Sequence, residues 1–317
     1  MLAGARMMSI ALLFPGQGSQ RVGMGRDLAH RFEVARRTYD EADEALGWKL
    51  STLCFEGPED ELVLTKHGQP AILTTSMAVF RVLQAEKGLR FDAAAGHSLG
   101  EWTALAATGA IGFADAVRLT HARGTYMQDA APVGVGGMAA LIGMELPAVI
   151  ELCTEASAPG EPVEAANLNG AGQIVISGHV AAIDRAIAAA KGKGAKRAAR
   201  LPVSAPFHCS MMAPAAERLR AALAGVTINR PSVPVIANVT AAPTQDPEEI
   251  RGLLVEQVTA PVRWEESVRA LAAAGVTRAY ELGAGSVLRG LVKRIAETIA
   301  IDTIGEPHEV DGFNQGS

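Results

Sequence analysis

The chain has 317 residues, 49% hydrophobic but only 4% aromatic, with a formal net charge of -5 from 34 acidic and 29 basic side chains. Such a length and apolar fraction exclude disorder over most of the chain and allow one large core with a small inserted unit, and the charge balance excludes the electrostatic footprint of a nucleic-acid binder. Cys54, Cys153 and Cys209 are far apart and form no CxxC pair, so neither a zinc site nor a disulfide framework is expected, and a reducing cytoplasm is the expected compartment.

Met1 to Ser9 carries Arg6, but the apolar run that follows is short and ends at Pro15, which is not the pattern of a secretion signal. No stretch approaches membrane-spanning length. Ile10 to Phe14 reads as a buried strand opening into the loop Gly16-Gln17-Gly18-Ser19-Gln20. From Asp27 to Leu46 the apolar residues Leu28, Phe32, Ala35, Tyr39, Ala42 and Leu46 recur at helical spacing, which predicts one amphipathic helix. Pro70 to Gln84 reads as a largely buried helix and Phe91 to Ala95 as a strand, and the units together predict a layered α/β core with a mostly parallel sheet.

The pattern changes over 134–203. Strands at Gly137 to Met144, Val163 to Leu168, Gln173 to Ser177 and Ala195 to Val203 alternate with helices at Pro147 to Ala156 and Val180 to Lys191. This βαββαβ order is that of a ferredoxin-like subdomain able to close its own core. The basic cluster from Lys191 to Arg200 reads as a solvated helix end and strand start. The flanking segments 8–133 and 204–304 form the expected discontinuous core, the latter with a helix around Met211 to Leu223, a strand at Pro234 to Asn238, a helix at Pro261 to Ala274 and a strand at Thr277 to Leu282. The segment 305–317 reads as a polar, mobile tail. No association helix is evident, so a monomer is expected.

Gly96-His97-Ser98-Leu99-Gly100 follows the short apolar strand and has the spacing of a nucleophile elbow, in which a serine stands on a sharp strand-to-helix turn. Glycines on either side let the backbone fold tightly, and the Leu99 amide at the start of the next helix would face whatever bonds to Ser98. The pattern also fits a plain turn; in the catalytic reading Ser98 needs a base, for which histidine is the default. His97 is adjacent but would diverge from Ser98, so it shapes the site or satisfies nearby backbone. His30, His121 and His308 fall on polar faces or the tail, and His67 and His179 in loops. His208, in Ser204-Ala205-Pro206-Phe207-His208-Cys209, stands where the inserted unit returns to the core; both a structural and a catalytic role are open to it. The loop at Gln17 lacks a P-loop lysine, and its glycines suit either an ordinary turn or a backbone donor to an oxyanion. Arg123 shares a helical face with Ala116, Thr120 and Met127, so it faces the core and needs an anion: a buried carboxylate of the protein or one of a substrate.

Gly16 to Gln20, Gly96 to Glu101, Arg123-Gly124 with Met127-Gln128, Phe207-His208, and Gln257 before Pro261-Val262-Arg263-Trp264 together resemble the malonyl-CoA:acyl carrier protein transacylases over Ile10 to Ile295. The resemblance implies an α/β-hydrolase-like core with the inserted ferredoxin-like unit. It implies Ser98 as the acylated nucleophile, His208 as its base, the backbone carbonyl of Gln257 on the far ring nitrogen, and Arg123 as the clamp on a malonyl carboxylate. The amides of Gln17 and Leu99 would form the oxyanion hole, Asn167 and Asn169 would lie near the CoA or pantetheine path, and Leu99 with Phe207 would mark the malonyl-selective branch. Malonyl-CoA and acyl carrier protein are the implied partners, with no metal or bound cofactor. The residues before Ile10 and beyond Ala300 look like extensions.

Two rival readings predict different features. A serine esterase or thioesterase would place an acid between serine and histidine in chain order, for which Asp129 and Asp184 are the candidates. A non-catalytic carrier-docking module would not become acylated, and the set Ser98, His208 and Arg123 argues against it.

Overall fold

The computed structural model describes residues 9–132, 134–203 and 205–315. Strand β1, Ile10–Phe14, lies near the middle of a six-stranded sheet with β2 (Ala93–Gly96) on one side. The second sheet takes β3 (Gly136–Ile142), β4 (Val163–Leu168), β5 (Gln173–His179) and β6 (Arg197–Arg200). The first sheet is completed by β7 (Val235–Ile236), β8 (Pro243–Thr244), β9 (Arg278–Leu282) and β10 (Ala300–Ile304), giving the order β10-β9-β1-β2-β7-β8. All its pairs are parallel except β7 with β8.

Alternation along β1 shows why both faces of this sheet are covered. Leu12 and Phe14 enter the larger apolar cluster, with Ile72, Val79 and Leu105, whereas Ala11 and Leu13 enter a second, with Trp264, Val268 and Leu288. Successive side chains of a strand point to opposite faces, so a central parallel strand must be apolar throughout. The register pairs Phe14 with Gly96. The loops that leave β1 and β2 therefore emerge side by side at the carboxyl edge of the sheet, where open α/β sheets hold their ligands.

The second sheet is antiparallel with order β4-β5-β3-β6. Helices Leu146–Ala156 and Val180–Ala190 cover it through Val149, Leu152, Ala182 and Ile183. This is the ferredoxin-like arrangement that the βαββαβ order predicts. Its β4 is stitched to the larger unit: the Leu168 amide donates to the Val262 carbonyl at 2.9 Å and the Val262 amide to the Ala166 carbonyl at 2.8 Å.

Several elements differ from the sequence reading. The helix expected over Asp27 to Leu46 is two, Arg26–Arg31 and Glu33–Leu46, because Phe32 is extended with φ -114° and ψ 119°. The apolar stripe runs on across the break, so periodicity alone does not reveal it. The helix expected from Pro70 instead spans Thr65–Lys87, with Pro70 inside it. Proline leaves the carbonyl four residues earlier without its helical donor, and the ring of His121 supplies one, Nδ1 donating to the Lys66 carbonyl at 2.8 Å. His121 is thus structural, and His67 lies within this helix rather than in a loop. Shorter than expected are β6, β7 and the helix Trp264–Ala273; the Met211 region is a short 3-10 turn, Ser210–Met212, leading into helix Ala213–Ala224.

The expected mobile tail is a correction. Residues 307–312 form a helix whose start is closed by a capping box between Glu306 and Glu309. Val310 is fully buried, Phe313 is 9% exposed and its ring lies 5.0 Å from that of Tyr280. Arg31 pairs with Asp311 at 2.7 Å, and Arg21 pairs with Glu306. The polar composition conceals two apolar side chains that dock together. Truncating Phe313→Ala is expected to lower unfolding free energy by about 3 kcal/mol, the low end for a buried phenylalanine because a terminal segment relaxes. A urea midpoint equal to that of the unaltered chain would show the tail to be undocked.

Candidate active site

Ser98 stands between β2 and the helix Leu99–Ala107 with φ 52° and ψ -106°. The turn is possible because position 100 lacks a side chain: a Cβ on Gly100 would lie 2.0 Å from the Phe14 carbonyl oxygen. Asn238, fully buried at the end of β7, holds the turn from below. Its Oδ1 accepts from the Ser98 amide at 2.7 Å and its Nδ2 donates to the Gly96 carbonyl at 2.8 Å. Strain of this kind persists only where surrounding bonds over-determine it.

The loop after β1 is pressed onto the same turn. A Cβ on Gly16 would lie 2.4 Å from the His97 carbonyl oxygen. Gln17 follows, its side-chain Oε1 accepting from the Thr65 hydroxyl at 2.9 Å. Leu99 is the first residue of its helix, and the amides of a helix's first turn are left without intrahelical acceptors.

The Ser98 hydroxyl donates to Nε2 of His208 at 2.7 Å. Nδ1 of the same ring faces the Gln257 carbonyl at 2.8 Å. A carbonyl only accepts, so Nδ1 carries the proton and Nε2 presents a lone pair to the serine. Burial, reinforced by the field of Arg123, lowers the His208 pKa to about 3. The imidazole is therefore neutral at physiological pH, with its Nε2 lone pair free to accept the serine proton. His208 itself has φ 60°, so both partners of the pair sit on strained backbone.

Arg123 projects from helix Phe113–Asp129 on the face shared with Ala116, Thr120 and Met127, all buried. Its Nη2 donates to Ser98 Oγ at 3.1 Å and to Gln257 Oε1 at 2.9 Å, and its Nη1 to Gln69 Oε1 at 2.7 Å. Among the described residues no carboxylate is bonded to it, and its buried Nε has no partner. Desolvation lowers its pKa to about 10, opposed by the field of Glu101. A planar cation held by neutral amides beside a serine is suited to grip an anion that arrives from outside.

Of the other predicted residues, His97 donates from Nε2 to Asn169 Oδ1 at 2.9 Å, and burial lowers its pKa, so it is a neutral strut between the elbow and the end of β4. Asn167 is 7% exposed and bridges to Val262, and Phe207 is buried beside His208. The acids of the esterase reading are elsewhere: Asp129 pairs with Arg218 at 2.9 Å and Asp184 with Arg200. A backbone carbonyl, not a carboxylate, holds the histidine. Sequence reasoning missed Asn238, Gln69 and Thr65, and left Glu101 without a role. Gln69 precedes the helical proline and Glu101 sits in the first turn after Ser98, but neither position by itself signals a partner.

A model of the acyl transferase domain matches residues 11–301. The chain is 48% identical over 301 residues to the malonyl CoA-acyl carrier protein transacylase of Escherichia coli K12, covering 95% of this chain and 97% of that protein. It is 47% identical over 305 residues to the protein of that name from Bacillus subtilis 168, covering 96% of each. A crystal structure of acyl-carrier-protein-S-malonyltransferase from Bartonella henselae superposes with a TM-score of 0.93 at 48% identity, covering 96% of this chain and 98% of that one. With near-complete coverage in both directions, and a serine, histidine and arginine meeting at the carboxyl edge of the sheet, the chain belongs to the malonyl CoA-acyl carrier protein transacylase family of acyltransferases.

Proposed function

We propose that this chain transfers the malonyl group of malonyl-CoA to the phosphopantetheine thiol of an acyl carrier protein through a malonyl ester on Ser98, supplying extender units for fatty acid or polyketide synthesis. The observation that carries this reading is the convergence of three groups: Ser98 Oγ lies 2.7 Å from His208 Nε2 and 3.1 Å from Arg123 Nη2. One hydroxyl is thereby within reach of both a base and a cation.

In the first half-reaction the Ser98 oxygen attacks the thioester carbonyl as His208 Nε2 takes its proton. The amides of Leu99 and Gln17 stabilise the oxyanion. Collapse expels the CoA sulfur, which receives the proton from His208, and leaves the malonyl ester. In the second half-reaction His208 takes the proton of the carrier thiol, whose sulfur attacks the ester; collapse returns the proton to Ser98 Oγ. The Gln257 carbonyl keeps the tautomer correct through both halves. It stabilises an imidazolium less than a carboxylate would, which suffices for an activated thioester. Arg123 binds the free malonyl carboxylate, Asn167 and Asn169 line the pantetheine path with His97 as their strut, and Phe207 with Leu99 narrows the acyl pocket.

The reading divides the chain into a discontinuous core, 8–133 and 204–304, and an inserted subdomain, 134–203; residues 8, 133 and 204 themselves lie outside the described residues. Support comes from the second sheet being drawn wholly from Gly136 to Arg200, between strands of the first. The partners are malonyl-CoA and acyl carrier protein, with no nucleic acid and no resident metal or cofactor. A monomer is the proposed state and the cytoplasm the proposed compartment, the latter supported by free cysteines at 54, 153 and 209. No helix of the described residues is long and apolar enough to cross a membrane.

Intact mass spectrometry after brief exposure to malonyl-CoA is expected to show one malonyl adduct, absent from Ser98→Ala; an adduct that survives the substitution would refute the nucleophile. Arg123→Ala is expected to lower the malonyl-to-acetyl ratio of kcat/KM by roughly tenfold to a hundredfold, the worth of one charge-assisted contact of about 1.5 to 3 kcal/mol. Equal losses for the two acyl groups would remove the clamp from the mechanism.

A further inference from the structure

The Arg123 guanidinium is 2% exposed and meets only neutral groups, yet a buried cation without an anion is strongly disfavoured. The missing anion stands one side chain away. Glu101, 3% exposed in the first turn of the helix after Ser98, accepts at Oε2 from Gln257 Nε2 at 2.7 Å and from the Asn238 amide at 3.0 Å. The other end of the same Gln257 amide, Oε1, accepts from Arg123 Nη2. An amide polarised between cation and anion thus links the two charges while keeping them apart.

We propose that Glu101 is a positioning residue for acyl selectivity: a counter-charge kept at one amide's remove, which compensates Arg123 in the free enzyme without occupying the donors that a malonyl carboxylate needs. A direct Glu–Arg pair would occupy the donors the substrate needs, whereas a carboxylate one amide away tempers the field of the cation and leaves those donors open. Through Gln257, whose Nε2 also donates to the Ser98 carbonyl at 3.0 Å, the same carboxylate steadies the strained turn. Burial raises its carboxyl to about 7, opposed by its two donors and by Arg123.

The proposal rests on the malonyl-transfer reading, which the Ser98 adduct in the unaltered chain tests separately. Glu101→Gln retains an acceptor for both donors and removes the charge. At about pH 8, above the titration of Glu101, transfer from malonyl-CoA and acetyl-CoA is compared by kcat and KM. With Arg123 less compensated, the KM for malonyl-CoA is expected to fall about three- to tenfold while that for acetyl-CoA stays within about twofold, as a change of field at one charged subsite requires. Glu101→Asp keeps the charge and should leave the malonyl-to-acetyl ratio near that of the unaltered chain. Equal changes for both acyl groups in Glu101→Gln, no change for either, or the same shift of ratio in Glu101→Asp would overturn the proposal. Should Glu101→Gln not fold alone, recovery with malonate but not acetate supports it, and failure with both overturns it.

Discussion

A guanidinium buried among neutral amides governs the arrangement of this active site. Removing such a charge from water costs several kcal/mol, and Arg123 recovers part of it from Gln69, Gln257 and the Ser98 hydroxyl. None of these partners neutralises it. The positive field that remains contributes, after burial, to the lowered pKa of His208. The cation that awaits the acyl carboxylate thereby also helps keep the imidazole unprotonated, so that acyl binding and the protonation state of the base share one origin.

The fold brings this about by convergence of separate elements on one sheet edge. Paired Phe14 and Gly96 set the loops after β1 and β2 beside one another, and Asn238 reaches in from the end of β7. Helix Phe113–Asp129 packs on Thr65–Lys87, which brings Arg123 to Gln69. A chain Arg123, Gln69, Thr65, Gln17 then connects the cation to the loop beside the elbow by hydrogen bonds from side chain to side chain. The smaller sheet is tied in where β4 meets Val262, shortly after Gln257.

The elbow, the α/β layering and the βαββαβ unit were legible because each leaves a local mark: glycines about a serine, buried apolar strands, a change of element order. Ser98, His208 and Arg123 could be singled out one at a time, by turn spacing, by a proline-fixed loop and by a cation on an apolar face. Their meeting was not legible from periodicity, since it depends on contacts between residues far apart in sequence, and the resemblance supplied it. Asn238, Gln69 and Glu101 carried no local mark at all; polar side chains near strand and helix ends are ordinary, and only their burial against one another distinguishes these. The break at Phe32 and the docked tail failed for a related reason. Tertiary packing overrode a continuous apolar stripe in one case and a polar composition in the other.

The backbone at position 98 sets stability against chemistry. Its positive φ belongs to the turn and not to the hydroxyl, so an alanine there inherits the same contortion, of about 1 to 3 kcal/mol for a residue outside the common regions. Glycine would relax it. The most comfortable occupant of that site is thus one that cannot form an ester, and selection for a sturdier fold alone would erase the nucleophile.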